Sequence, residues 1–152
     1  MSTNVIKIIE DYLGYFVCLL LTLVCKLGSF LLPSITKPPK KIVFVKFIEQ
    51  GALVLHINTF KKAIQQLGEK NVYIVTFSNN VEFLNVLEIF DQENIISIKS
   101  SNLWSFTLDF IRSVFQLRRQ EVDSAVDLEF FSRASAIFCF LSGAVNRVGY
   151  HR

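Results

Sequence analysis

Cysteine, histidine and proline are scarce in this 152-residue chain, and their placement excludes several classes of protein. The three cysteines, Cys18, Cys25 and Cys139, form no C-x-x-C pair and are too few for the disulfide framework of a small secreted domain, so they read as reduced apolar fillers. His56 and His151 share no ligand spacing, so no zinc site can be argued and no metal is expected. Charge of one sign is also lacking: 16 basic and 13 acidic residues leave a formal charge of +3, too small to imply a polyanion, and no nucleic-acid partner is expected. No low-complexity tail is present. What the chain has in quantity is apolar surface, 51% of its residues, enough to fill the core of about one domain.

The longest apolar run is Tyr12 to Leu32, interrupted by one charge, Lys26. As a helix rising ~1.5 Å per residue it would be about 31 Å long, the thickness of a bilayer core. A lysine at the membrane centre costs ~2.5–3.5 kcal/mol, but Lys26 lies past the middle of the run and can extend its ammonium toward the nearer interface. Glu10 and Asp11 stand where a cleaved signal peptide would carry positive charge, and no small-residue cleavage site follows. A transmembrane anchor is the expectation for 1–32, with an in-plane or re-entrant anchor, or a helix buried in protein, left open. Lys37, Lys40 and Lys41 follow the run whereas Lys7 alone precedes it, which places the rest of the chain on the cytoplasmic side. Residues 33–40 contain all three prolines and read as a linker.

From residue 41 the pattern alternates. The runs at 41–47, 71–77, 94–98 and 122–128 are short, apolar and rich in β-branched residues, as strands covered on both faces should be, and 146–150 starts a fifth. Between them, Leu53, Ile57, Phe60, Ile64 and Leu67 form one helical stripe that ends at Gly68, and Ser78 or Asn79 is placed to cap a helix through Phe83, Val86, Leu87 and Phe90. A third helix, 103–119, carries two apolar stripes. One contains Leu103, Phe110, Val114 and Leu117 and the other Trp104, Leu108, Ile111 and Phe115. Burial of both within the domain is the expectation, and contact with a membrane or partner domain the alternative. The whole predicts an α/β fold with a Rossmann-like parallel sheet.

Two loops at the carboxyl ends of such strands carry candidate chemistry. After the first strand come Lys46, Glu49, Gln50 and Gly51, in which the glycine permits close backbone approach and the carboxylate can accept a proton from a hydroxyl within hydrogen-bond reach. The N–H groups of the helix that follows attract anions. After the fourth strand come Asp127, Glu129 and Arg133, an arginine whose planar fork suits a phosphate or carboxylate. The competing readings are a solvated surface glutamate in the first loop, and in the second a capping Ser132 with an arginine held in an ion pair.

With these residues in place, the stretches "KIVFVKFIEQGALVL", "VDSAVDLEFFSRASAIFCF" and "SGAVNRVGYHR" resemble glycosyltransferase family 9, the heptosyltransferase-like enzymes of lipopolysaccharide core synthesis, over about 41–152. The apolar N-terminal run resembles the leader of a membrane-anchored subgroup. The resemblance implies the acceptor-side half of a GT-B fold, an inverting, metal-independent transfer from a nucleotide-sugar to the hydroxyl of a glycan or glycolipid acceptor, and a site at the inner face of a bacterial inner membrane. It also implies a departure. Many members carry Gly-Asp after the first strand, with the aspartate as base, and here Gly51 is followed by Ala52, which leaves Glu49 of a Glu-Gln-Gly variant as the candidate base. Gln50, Gly51, Lys46, Arg133, Asp127 and Glu129 are the candidate acceptor-binding residues. Measured against that family the chain reads as truncated, without a nucleotide-sugar domain and inactive alone. A membrane-tethered binding module, or a structural subunit completed by a separately encoded C-terminal domain, are the other readings.

Overall fold

The computed structural model describes residues 38–130 and 132–150, together with Leu19, Leu20 and Leu23. Apart from those three leucines, the expected anchor at Tyr12–Leu32 lies outside the described residues, as does the greater part of the linker. Among the described residues no helix is long and apolar enough to cross a membrane.

Five strands, β1 Ile42–Val45, β2 Val72–Phe77, β3 Ile95–Ile98, β4 Ser124–Asp127 and β5 Asn146–Val148, form one sheet in the order β3-β2-β1-β4-β5. All neighbours are parallel, and the register aligns Val45 with Val75 on one side and with Asp127 on the other. The helices are α1 Gln50–Leu55, α2 Ile57–Leu67, α3 Val81–Leu87, α4 Leu103–Arg119 and α5 Arg133–Leu141. The Rossmann-like expectation holds, and each predicted strand lies within its predicted run.

Alternation along the strands divides the core into two layers. Phe44, Val72 and Ile74 face Leu53, Phe60 and Leu84 from α1, α2 and α3. Val43, Val45, Tyr73 and Val75 face Val114 and Leu117 of α4 and Phe138 of α5. Parallel strands covered on both sides are apolar at most positions, which is why the runs that form β1, β2 and β3 are near-continuous rather than alternating.

Three local expectations change. The single helix predicted over 52–67 breaks at His56, whose N–H donates to the Leu53 carbonyl in a tightened turn before α2 restarts. The capping serine or asparagine before α3 is replaced by a 3-10 turn over Ser78–Asn80. Asn80 takes the cap position and turns its amide inward, donating to the Phe47 carbonyl at 2.9 Å and to Thr76 Oγ1 at 2.8 Å. On α4, Phe110, Val114 and Leu117 of the first stripe pack on the sheet, but Leu103 at its start and the whole second stripe, Trp104, Leu108, Ile111 and Phe115, are exposed. Burial of both stripes is therefore not what the fold does: a helix lying flat on one sheet offers that sheet one face.

Candidate functional site at the switch point

In this strand order, chain connections leave β1 toward β2 on one side, while β4 lies on the other, so the crevice of an open α/β sheet falls between the carboxyl ends of β1 and β4. The two candidate loops meet there. Lys46, directly after β1, is fully buried and donates from Nζ to Glu129 Oε2 at 3.1 Å. Glu129 Oε1 accepts the Ile48 N–H at 2.7 Å, so a single buried carboxylate from the β4 loop fixes both the lysine and the backbone of the β1 loop. Leu128 N–H donating to the Val45 carbonyl at 2.9 Å continues the alignment past the strands.

Glu49 sits at the rim of this buried pair. Its side chain is 66% exposed and its Oε2 lies 3.7 Å from Lys46 Nζ. Its backbone is left-handed, φ 65° and ψ 86°, at the start of α1, and its carboxylate makes no capping hydrogen bond. Among the described residues Glu88 and Glu121 also have positive φ, but both follow the ends of helices, where that conformation is common. At a helix start a non-glycine residue in this region stores strain of order 1–3 kcal/mol. The carboxylate at this strained position faces solvent beside the buried Lys46.

Gln50 donates from Nε2 to the Asn79 carbonyl at 2.8 Å, tying the β1 loop to the β2 loop. A Cβ built on Gly51 meets nothing within 4 Å, so the space beside it is open. Arg133 is the first residue of α5 and is half-buried, and Ser132 caps that helix by accepting the Ser135 N–H. Asp127, at the end of β4, is buried: Oδ1 accepts the Glu129 N–H at 3.0 Å and Oδ2 accepts Ser135 Oγ–H at 2.8 Å. Burial pushes its carboxyl above the usual range, against the pull of those hydrogen bonds. The structure thus brings Lys46, Glu49, Glu129 and Asp127 to one edge, with Glu49 as the exposed carboxylate among them.

Asn80, Ser135 and Gly149 also shape the site, and the sequence reading did not single them out. A Cβ on Gly149 would approach Asp127 Cβ to 2.9 Å, so glycine is what lets the segment after β5 close on β4. Phe130 and Tyr150, one from each segment, stack at 4.3 Å. The signal for Gly149 was present in "SGAVNRVG", whose other members are explained locally. Gly143 has φ +86°. Ser142 Oγ donates to the Cys139 carbonyl and accepts the Ala144 N–H, and the Arg147 guanidinium lies 4.8 Å from the centre of the Phe140 ring. Cys139 is a free buried thiol, pushed well above its ordinary pKa by burial. A separate open groove, lined by Ser78, Asn79, Lys99, Ser100 and Ser101, lies at the carboxyl ends of β2 and β3. Among the described residues no group of three or more His, Cys, Asp or Glu side chains is placed to hold a metal ion.

No protein-family model matches the sequence, and no curated protein matches it either. Among solved structures, the crystal structure of the glycosyl transferase family 9 from Veillonella parvula DSM 2008 is similar, with a TM-score of 0.58 at 10% identity. The likeness covers 78% of this chain and 38% of that one. At this identity it shows a shared fold, and the fold is that of a glycosyltransferase family 9 structure over a little more than a third of its length.

Proposed function

We propose that this chain supplies the acceptor side of a glycosyltransferase of the lipopolysaccharide or cell-envelope glycan type, with Glu49 as the general base. The observation that carries the reading is Glu49 itself: an exposed carboxylate in a strained conformation at the switch point of a sheet shared with a glycosyltransferase family 9 structure. Glu49 takes the proton of an acceptor hydroxyl as its oxygen attacks the anomeric carbon. The bond from that carbon to the diphosphate breaks, and the nucleoside diphosphate leaves with the electron pair. The donor is held by a nucleotide-sugar half, wherever it is encoded, and turnover requires it. Lys46 and Glu129 fix the loop, Gln50 and Gly51 border the acceptor, and Arg133 grips an anionic group of it. Asp127 supports the acceptor side from within, through Glu129 and Ser135. The apolar run Tyr12–Leu32 anchors the domain to the inner membrane, with the site at its cytoplasmic face.

Deleting the gene should remove a sugar from the envelope glycan, read as a mass difference by mass spectrometry. The wild-type gene should restore that mass and Glu49→Gln should not, although the variant protein accumulates normally. An unchanged glycan on deletion, or full restoration by Glu49→Gln, would sink the assignment.

A further inference from the structure

Helix α4 has an uncovered apolar face that the proposed chemistry does not use. Trp104, Leu108, Ile111 and Phe115, spaced by four, three and four, are 77%, 54%, 47% and 60% exposed and form one stripe along its outer side. The opposite side is already committed to the sheet through Val114 and Leu117. The charges on this helix are not scattered. Arg112 and Arg119 follow Leu108 and Phe115 by one turn and are both exposed, so they run along one margin of the stripe. Arg118 lies on the other margin, where its Nε donates to the Leu141 carbonyl at 2.8 Å. The helix's one acidic residue, Asp109, falls a little over a third of a turn from the stripe, its carboxylate accepting the Lys99 N–H at 3.2 Å. At the carboxyl end of α4, Lys41 Nζ donates to the Gln120 carbonyl at 2.8 Å, so Lys40, Lys41, Arg118 and Arg119 gather at an end that also holds Glu121 and Asp123, four cations to two carboxylates.

An aromatic and aliphatic stripe bordered by cations, with the carboxylate turned away, is the charge complement of an anionic lipid surface. A protein partner of ordinary composition would not ask for positive charge along the margins of the stripe, whereas lipid phosphates lie at the depth those arginines reach from a helix lying flat. We infer that α4 lies in the interface of an anionic membrane, with Trp104, Leu108, Ile111 and Phe115 in the acyl boundary and Arg112, Arg118 and Arg119 among the headgroups. This does not rest on the glycosyltransferase reading.

Trp104 is the chain's one tryptophan, so its fluorescence reports α4 in the full-length protein however else the chain is attached. In vesicles of phosphatidylcholine and phosphatidylglycerol its emission should shift to shorter wavelength and be quenched by brominated acyl chains. Both changes should be lost in Arg112→Glu/Arg119→Glu, whose folding is checked by circular dichroism, and in phosphatidylcholine alone. Quenching by aqueous iodide with no effect of bromolipid would overturn the inference. So would a tryptophan shielded from both quenchers, since protein would then cover the stripe, and so would equal bromolipid quenching with and without phosphatidylglycerol.

Discussion

A fully buried ammonium is tolerable only while its carboxylate stays beside it, and Lys46 depends on Glu129 for that. Lys46→Met leaves Glu129 buried without its ion-pair partner, and should cost about 3–5 kcal/mol of stability. Combining it with Glu129→Gln should cost less than the sum of the two single changes. Chemical denaturation of the four proteins measures the coupling, and additive losses would mean that the pair does not fix the β1 loop. His56, at the break between α1 and α2, senses the same ammonium. Burial first, and the Lys46 charge second, lower its pKa below 6.5. Because the folded pKa is depressed, the unfolded chain binds the proton more readily. The stability from neutral His56 is therefore complete above pH 6.5 and lost as pH falls toward the folded pKa. Denaturation midpoints taken at falling pH should show the wild type weakening relative to His56→Gln, and parallel curves would contradict this.

At the scale of elements, the two glycines near the site should behave in opposite ways. Gly149→Ala forces a Cβ to within 2.9 Å of Asp127 Cβ, both belonging to packed segments, and should cost about 1–3 kcal/mol in thermal or chemical unfolding. Gly51→Ala meets no atom and should stay within about 0.5 kcal/mol of the wild type, so any loss of function there reports the crevice rather than the fold. Only part of this was legible in the sequence. The strands were, because buried parallel strands are near-continuous apolar runs, and so was the Ser132 cap, because its partner is three residues away. The role of Asn80 was not, since its amide reaches the Phe47 carbonyl, 33 residues distant in the chain. Nor was the Gly149 approach to Asp127, which exists only once β4 and β5 pair. The outer stripe of α4 was visible as a pattern, but periodicity records that a face is apolar and is silent on what covers it.

For the molecule as a whole, alternation of strands and helices was enough to specify a doubly covered parallel sheet, and the convergence of the Glu49 and Glu129 loops follows from the strand order. That order is long-range information: β1 and β4 are neighbours in space with β2 and β3 between them in sequence. The Lys46–Glu129 contact spans 83 residues. On a ribosome emitting the chain from its amino end, β1, β2 and β3 are available to pair well before Glu129 has left the exit tunnel. Until then Lys46 must remain hydrated and the layer that will bury it must stay open. The central strand of the finished sheet therefore cannot be sealed before β4 and its loop have emerged, and the same contact that shapes the crevice sets the earliest moment at which β1 can be covered.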